Sequence, residues 1–314
     1  MCAEIPLNFC RKALLSRGGQ SGYDSYPAAM VTTAMAKNST IEWTHHTFNP
    51  WWGCTKVSQA CKLCYAEAWA KRTGGKFWGP KAPRRFFGEA HWRQPVIWND
   101  EASKAKIRYR VFCASMADVF EYRSELNSWR EKLWDLIEAT PHLDWLLLTK
   151  RPQRIAIYSR WERRWPENVW LGTTVENQAT ADERIPYLLE NKAAVLFLSC
   201  EPLVGPITLK EYLRRGIGWV IVGGESGGKS RPSHPKWMRN LREECVAHDV
   251  AFHFKQWGNW VPIEPGVAKL GNCMHTFPDG EVMVRRHKKI AGRHLDNRTW
   301  DEFPTSANEP AGAL

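Results

Sequence analysis

Short runs of β-branched and large apolar residues recur along the middle of the chain, and each run ends in glycine or polar residues. Such runs are typical of buried strands, and the intervals between them leave room for a helix. The runs occupy 110–114, 145–148, 169–172, 195–199 and 219–223, with a weaker run at 251–254 and a first candidate at 40–43. The pattern predicts a parallel array of about six to seven strands.

Between the runs lie segments in which apolar residues recur at helical spacing, at 128–138, 179–189 and 235–248. Asn127 and Ser233 stand near the starts of two of these segments, where capping residues belong. Strands that alternate with helices predict an α/β fold. We expect a partial or complete parallel β/α barrel of the TIM type.

Polar residues cluster directly after the predicted strands. In parallel sheets and barrels the carboxyl ends of the strands meet at one edge, where functional groups stand. The clusters contain Ser115, Asp118, Lys150, Arg151, Thr173, Thr174, Glu176, Glu201, Gly223, Gly224, Glu225 and Lys255. We interpret them as parts of a single site.

The same pattern divides the chain into three parts. No periodicity is evident before Ile41, and the segment lacks the ordered regions of a secretion signal. Beyond about Val261, proline, glycine and charged residues replace the regular pattern. We predict a disordered N-terminal extension at 1–37, a β/α domain at 38–262 and a partly irregular C-terminal extension at 263–314.

Composition and charge narrow the class of protein. The chain is 43% hydrophobic and 25% charged, and no apolar stretch reaches the roughly 18 residues that span a bilayer. We therefore expect a soluble, cytoplasmic protein. The net charge of +11 favours an anionic partner such as nucleic acid or a nucleotide, although the basic runs at 81–85, 160–164 and 285–289 are more typical of solvated faces.

The cysteines are the strongest chemical signal. Nine cysteines in a chain of this length do not resemble the disulfide framework of a small secreted domain. Three of them, Cys54, Cys61 and Cys64, fall within eleven residues. Three thiolates at this spacing can ligate one metal centre, and thiolates select zinc or iron-sulfur clusters. A structural zinc site needs a fourth ligand, which His45 or His46 would supply.

The cysteine segment is one of several ordered blocks between about Ser39 and Pro262. The blocks are 41–44, 49–54, 61–67, 148–152, 169–176, 200–203, 220–227 and 254–258. Together they resemble an uncharacterised, phage-associated family known for its three-Cys motif, which looks like a divergent branch of the radical S-adenosylmethionine superfamily. The resemblance implies a 4Fe-4S cluster on the three cysteines, S-adenosylmethionine on the open iron, and an electron donor such as flavodoxin or ferredoxin.

The resemblance also implies residues that bind the cofactor. Ser115 or Asp118 would bond the amino group of S-adenosylmethionine, and Lys150 suits a carboxylate or phosphate. The other candidates are Tyr65 beside the iron, and Thr173, Thr174 and Glu176 at ribose hydroxyls.

Five more residues complete the predicted site. Gly223 and Gly224 either let backbone N–H groups approach an anion or form an ordinary tight turn. Glu201, Glu225 and Lys255 are the candidate catalytic residues, as partners of a substrate amine or base or as proton carriers.

On this interpretation the protein is an enzyme that generates a 5'-deoxyadenosyl radical to modify or repair a nucleic-acid or nucleotide-derived substrate. One alternative is a β/α-barrel hydrolase with a carboxylate pair from Glu176, Glu201 and Glu225. The other alternative is a zinc-dependent nucleic-acid-binding protein. The hydrolase hypothesis leaves the cysteines without a role. The identity of the bound metal distinguishes the zinc-dependent binding protein from the radical enzyme.

Overall fold

The computed structural model describes residues 35–162, 164–263 and 273–304, with the backbone alone at 35–37. Residues 1–34 of the predicted N-terminal extension, and 264–272 and 305–314 of the predicted C-terminal extension, lie outside the described residues. Within the described ranges, no helix combines the length and the apolar character needed to cross a bilayer.

The strands form one large sheet and two small ones. Numbered along the chain, they are β1 (Met35–Lys37), β2 (His46–Phe48), β3 (Trp51–Trp52), β4 (Arg85–Phe86), β5 (Tyr109–Cys113), β6 (Leu143–Thr149), β7 (Val169–Thr174), β8 (Val195–Cys200), β9 (Ile217–Gly223), β10 (Ala251–Gln256), β11 (Trp260–Pro262), β12 (Met274–Thr276) and β13 (Val282–Arg285). The large sheet has the order β1-β2-β5-β6-β7-β8-β9-β10, and the small sheets are β11-β13-β12 and β3-β4.

Seven strands of the large sheet, β2 and β5 to β10, run parallel, and β1 pairs antiparallel with β2. They curl into a half-barrel, which confirms the predicted α/β fold with a partial TIM-like barrel. The helices are α1 (Tyr65–Arg72), α2 (Glu89–Trp92), α3 (Gln94–Ala105), α4 (Asn127–Glu138), α5 (Ile155–Tyr158), α6 (Gln178–Leu189), α7 (Lys210–Leu213), α8 (Pro235–Ala247) and α9 (Lys288–Ala291).

The first predicted strand, at 40–43, is wrong. These residues form turns and bends, and the first parallel strand is His46–Phe48. The apolar run still packs inward, because Trp43 is buried in the cluster on the inner face of the sheet. The hydroxyl of Thr44 donates to the carbonyl of Arg110 and accepts from the N–H of Phe112, so a side chain replaces the backbone pairing there.

The two predicted helix caps also differ from the structure. Helix α4 begins at Asn127 itself, whose Oδ1 accepts from Arg130 at 2.6 Å. Helix α8 is capped by His234, whose Nδ1 accepts from the N–H of Lys236 at 3.0 Å, while Ser233 donates to the carbonyl of Leu203. At both helix starts several polar residues are available, and the cap rule alone does not indicate which of them becomes the N-cap residue.

Alternate residues of the parallel strands face two different apolar layers. One set packs under the outer helices, and the other fills the inner face with Trp43, Phe112, Leu146, Trp170, Val195, Phe197, Trp219 and Ile221. Gly172 makes room for this filling, because a Cβ there would lie 2.5 Å from the Phe197 ring. The interior of the half-barrel is therefore packed, and space for a ligand remains at the carboxyl ends of the strands.

A segment near the C-terminus follows the outer edge of β10. The N–H of Phe254 donates to the carbonyl of Trp300 at 2.9 Å, and the N–H of Glu302 donates to the carbonyl of Phe252 at 3.3 Å. The N–H of Phe252 reaches the Glu302 carboxylate at 3.0 Å. Phe303 follows and lies 3.9 Å from the guanidinium carbon of Arg110.

Candidate functional site

A cavity of about 390 Å³ opens at the carboxyl ends of the parallel strands, and the cysteine segment with the start of α1 forms its other wall. Residues at the ends of six neighbouring strands, β5 to β10, line it. The predicted site residues that line it are Cys54, Cys61, Cys64, Tyr65, Ser115, Asp118, Lys150, Thr174, Glu201, Gly224, Glu225 and Lys255. Three predicted site residues do not line the cavity: Thr173, Glu176 and Gly223.

The three cysteines of the motif are free thiols, partly exposed, on three consecutive local structures. Cys54 follows Gly53, whose φ of +115° and close approach to the carbonyl of Phe77 exclude a side chain. Cys61 lies in the 3₁₀ helix Gln59–Leu63, and Cys64 is the N-cap residue of α1. The chain thus turns all three thiols toward one cavity.

The three cysteine thiols are the kind of donor set that holds an iron-sulfur cluster. In the part of the chain that the structure describes, no three His, Cys, Asp or Glu side chains converge closely enough to hold one metal ion. A four-iron cluster binds its thiolates at separate corners, so the sulfurs that hold it stand farther apart than those around one tetrahedral ion. Three reduced thiols on one cavity fit such a group.

The histidines proposed as a fourth zinc ligand lie elsewhere, which removes that alternative. His45 accepts from the N–H of Arg110 at 2.8 Å, and burial, with Arg110 and His46 nearby, lowers its pKa to about 4. His46 is buried and stacks on Trp98 with ring centroids 4.4 Å apart. Neither residue lines the cavity, because both precede the carboxyl end of β2.

Positive groups lie close to two of the thiols. Burial raises the pKa of the Cys54 thiol to about 12, against the opposing effect of Arg151, whose Nη1 lies 3.8 Å from the sulfur. Burial also acts to raise the pKa of Cys61, but the ammonium of Lys150 and hydrogen bonds at Val57 and Ser58 outweigh it and lower that pKa. Both cations would stabilise sulfur in the thiolate form that binds metal.

Asp118 holds the end of β6 in place. Its Oδ1 accepts from the Thr149 hydroxyl at 2.7 Å and the Phe120 N–H at 3.0 Å, and its Oδ2 accepts from the Lys150 N–H at 3.1 Å and Arg151 Nη1 at 2.7 Å. Burial acts to raise the pKa of this carboxyl, but Arg151 and these hydrogen bonds lower it below its usual range. Four donors fill a carboxylate's capacity. Asp118 therefore orients Arg151 toward Cys54.

A buried ion pair fixes the cysteine segment from the other side. Arg84 donates to both carboxylate oxygens of Glu121, at 2.9 and 2.7 Å. Its remaining N–H groups reach the carbonyls of Phe77 and Ala82, each at 2.9 Å, and the hydroxyl of Thr55 at 3.1 Å. The guanidinium thereby joins three stretches of chain around the residue after Cys54.

Glu176 and Thr173 serve the scaffold. Glu176 is fully buried, pairs with Arg184 at 2.9 Å, and accepts from the N–H of Ala60 at 3.4 Å, directly before Cys61. Thr173 donates its hydroxyl to the carbonyl of Thr149 at 2.9 Å. Glu176 thus links β7 to the cysteine segment, and its carboxylate does not line the cavity.

The other two strand-end glutamates are held by cations. Glu201 binds the ammonium of Lys255 at 2.6 Å, and both residues line the cavity. Glu225 accepts from the backbone N–H, Nε and Nη2 of Arg231, at 2.8, 2.9 and 2.6 Å. A hydrolytic carboxylate pair needs one free nucleophile or base and one protonated acid. With all three strand-end glutamates in ion pairs, the hydrolase alternative loses its support.

Cavity-lining groups with few internal partners are those that a ligand can reach. Lys150 Nζ contacts the hydroxyl of Thr174 at 3.1 Å. The ring of Tyr65 is 59% exposed, while its hydroxyl donates to the carbonyl of Ser115 at 2.9 Å. Ser115 Oγ accepts from Asn49 Nδ2 at 3.1 Å. These side chains offer an ammonium, hydroxyls and an aromatic face.

The glycines after β9 allow close packing of two strand ends. A Cβ on Gly224 would lie 2.0 Å from the carbonyl oxygen of Trp257, and the Gly224 N–H already donates to the carbonyl of Gln256 at 2.9 Å. Gly223 accepts through its carbonyl from the N–H of Leu203 at 3.0 Å. Gly223 ends β9 and Gly224 lies in irregular chain, so neither forms the predicted tight turn, and the close approach of Trp257 explains the glycine at 224.

Replacing Gly224 by Ala is therefore expected to lower the free energy of unfolding by about 1–3 kcal/mol, the usual cost of an overpacked site. Gly228→Ala is the matched control, because a Cβ there would meet no atom within 4 Å. Urea unfolding followed by tryptophan fluorescence measures both. Equal midpoints for the two variants would contradict the close-packing role.

Sequence reasoning missed Arg84 and Glu121, which organise the site. Arg84 belongs to the basic run at 81–85, which we expected to be solvated, yet its side chain is buried. Its partner Glu121 lies 37 positions along the chain. No local pattern marks such a pair.

Comparison with known proteins gives a family and two distant structures. Residues 38–304 match the model of a family described as "Protein of unknown function (DUF5131)". No curated protein matches the sequence. A spore photoproduct lyase with a cysteine-to-serine substitution is 12% identical, with a TM-score of 0.43 over 86% of this chain and 73% of that chain. A second variant of that lyase, "with bound AdoMet and dinucleoside spore photoproduct", is 12% identical, with a TM-score of 0.42 over 85% and 72% of the two chains. Likeness at this level carries no argument about activity.

Proposed function

The chain belongs to the DUF5131 family, whose description assigns no activity, and we propose from its own site that it is a radical S-adenosylmethionine enzyme. The observation that carries the proposal is the shared cavity. Three reduced cysteines line it together with ammonium, hydroxyl and aromatic groups from the ends of neighbouring parallel strands.

Cys54, Cys61 and Cys64 would hold a 4Fe-4S cluster by three corners, and the fourth iron would be open to S-adenosylmethionine. When bound and reduced by an external flavodoxin or ferredoxin, the cluster would supply the electron that breaks the bond between sulfur and C5' of S-adenosylmethionine, which gives methionine and a 5'-deoxyadenosyl radical. Arg151 lies against the sulfur of Cys54, where it would offset thiolate charge. Outer partners of this kind orient and tune metal ligands.

The remaining residues would bind and orient the cofactor. Lys150 is a suitable partner for the carboxylate of S-adenosylmethionine, since its ammonium lies at the cavity wall beside Thr174. Ser115 and Tyr65 are joined at the wall nearest the cysteines and are the available groups for its amino end. Thr174, which lines the cavity, would meet ribose hydroxyls in place of Thr173 and Glu176, which do not line it.

The substrate would enter beside Glu201 and Lys255, at the end of the cavity formed by β8 and β10. The Lys255 ammonium and the Glu201 carboxylate are 2.6 Å apart, so they can bond neighbouring acceptor and donor atoms of a substrate or exchange a proton with it. Glu225, held by Arg231, would act as a fixed acceptor next to them. The net charge of +11 favours a nucleic-acid or nucleotide-derived substrate.

Anaerobic purification followed by iron and sulfide analysis tests the proposal. We expect about four irons and four sulfides per chain, with an absorption band from sulfur-to-iron charge transfer. Addition of dithionite and S-adenosylmethionine should yield 5'-deoxyadenosine. Zinc alone, or a full cluster without cleavage of S-adenosylmethionine, would refute the assignment.

A further inference from the structure

Five basic residues lie in the loop after β9, at the end of β13 and at the start of α9. We name Lys229, Arg285, Arg286, Lys288 and Lys289 the basic rim. Lys288 lines the cavity, as Lys255 at the end of β10 does. The rim therefore reaches the cavity to which the substrate is assigned.

The basic rim carries uncompensated charge. None of its five residues forms an ion pair with a carboxylate among the described residues. Arg160 and Arg239, by comparison, are neutralised: Arg160 contacts the carboxylates of Glu131, Asp135 and Glu138, and Arg239 contacts Asp296. Several cations without a carboxylate partner among the described residues concentrate positive potential, which attracts a polyanion rather than a single charge.

Backbone contacts hold the basic rim in shape. The guanidinium of Arg285 donates to the carbonyls of Gly227 and Gly228, which ties β13 to the loop that carries Lys229. The N–H of Arg286 donates to the carbonyl of Asn259 at 2.9 Å. Lys288 and Lys289 begin α9 and are exposed. The cations thus project from a fixed edge.

The cavity beside the rim can receive a flat polar group. Its wall includes the aromatic faces of Tyr65 and Trp78. Gln256 also lines it, and its Nε2 donates to Ser226 at 3.1 Å. Its Oε1 has no hydrogen-bond partner among the residues that the structure describes, although the residue is only 6% exposed. Aromatic faces with amide and ammonium groups are the chemistry that binds an unstacked base.

We propose that the basic rim binds the phosphate backbone of a single nucleic-acid strand, one base of which enters the cavity. The inference deepens the proposed function, on which it rests, by naming a polymer rather than a free nucleotide as substrate. A single strand fits because a base inside a duplex must leave its stack to reach an enclosed pocket.

Fluorescence anisotropy with a fluorescein-labelled thymidine oligonucleotide of about 12 nucleotides tests the proposal. The variant is Lys288→Ala with Lys289→Ala. The matched control is Lys104→Ala with Lys192→Ala, which changes the charge equally. Both lysines are exposed and precede β5 and β8, so they lie toward the amino ends of the parallel strands, away from the cavity. Loss of two phosphate contacts should weaken binding roughly 25-fold at 0.1 M salt. It should also reduce, by about 1.4, the steepness with which the logarithm of the binding constant falls with the logarithm of salt concentration.

The control is expected to bind as the unchanged protein does. Equal affinity of the rim variant and the unchanged protein, equal losses in the rim and control variants, or equal affinity for free thymidine monophosphate would each overturn the proposal. The assay requires no cleavage of S-adenosylmethionine. A protein that binds the strand but holds no cluster would refute the proposed function separately from the rim.

Discussion

Replacing Cys61 by Ala is expected to reduce bound iron from about four atoms per chain to background, and to lower cleavage of S-adenosylmethionine at least about 100-fold. Cys61 lies between the other two cysteines along the chain and lines the same cavity. Its thiol has a lowered pKa, against the effect of burial, because of Lys150 and hydrogen bonds at Val57 and Ser58. Removal of this ligand would leave two thiolates for a cluster that needs three.

Cys245→Ala is the matched control for that experiment. Cys245 is also a free thiol, but it is buried on α8 and does not line the cavity. Iron, sulfide and 5'-deoxyadenosine are measured on both variants after anaerobic reconstitution, with circular dichroism to verify folding. Full iron content in Cys61→Ala, or its loss in a folded Cys245→Ala, would contradict the assignment.

The second large effect concerns stability. Arg84→Met should lower the free energy of unfolding by about 3–5 kcal/mol, because it leaves the Glu121 carboxylate buried without its partner. The side chains of Arg84 and Glu121 are 0% and 3% exposed. Two other guanidiniums lie nearby: Arg151 is 4.0 Å from the Glu121 carboxylate but bonded to Asp118, and Arg130 donates to the backbone carbonyl of Glu121. The substitution also removes the link to Thr55, beside Cys54.

Two further variants separate charge from packing. Lys132→Met breaks an exposed pair with Glu89 and is expected to cost less than about 1 kcal/mol. Arg84→Met combined with Glu121→Met removes both charges and should recover part of the loss. Urea unfolding of the cluster-free protein measures all three variants. A single-variant loss no larger than that of Lys132→Met would contradict the role given to the ion pair.

The sequence was sufficient to predict the strands of the half-barrel from β5 to β10. Their residues are buried on both faces, so they form continuous apolar runs that no surface element imitates. Leu146 faces the inner cluster while Leu147 packs under the helices, and both positions need apolar residues. The run at 40–43 satisfied the same rule without pairing, since Trp43 fills the inner face from a turn.

The contents of the site were less predictable than its position. The topology brings strand ends together whatever side chains they carry, so the cavity and its cysteines followed from the order of elements. Whether a strand-end glutamate is free depends on a partner that local sequence does not reveal. Glu176 meets Arg184 eight positions later, whereas Glu201 meets Lys255 from a strand 54 positions away. Such pairings are set by packing of the folded chain.

The segment at residues 300–302 has a consequence for association between molecules. A half-barrel has two open margins, and an unpaired strand margin is a template for strands of other chains, which leads to aggregation. At one margin β1 pairs with β2. At the other margin the carbonyl of Trp300 accepts from the N–H of Phe254, and the N–H of Glu302 donates to the carbonyl of Phe252. The protein thus covers β2 with a three-residue edge strand and β10 with its own chain, and both features lower the tendency of an unclosed sheet to pair with another chain.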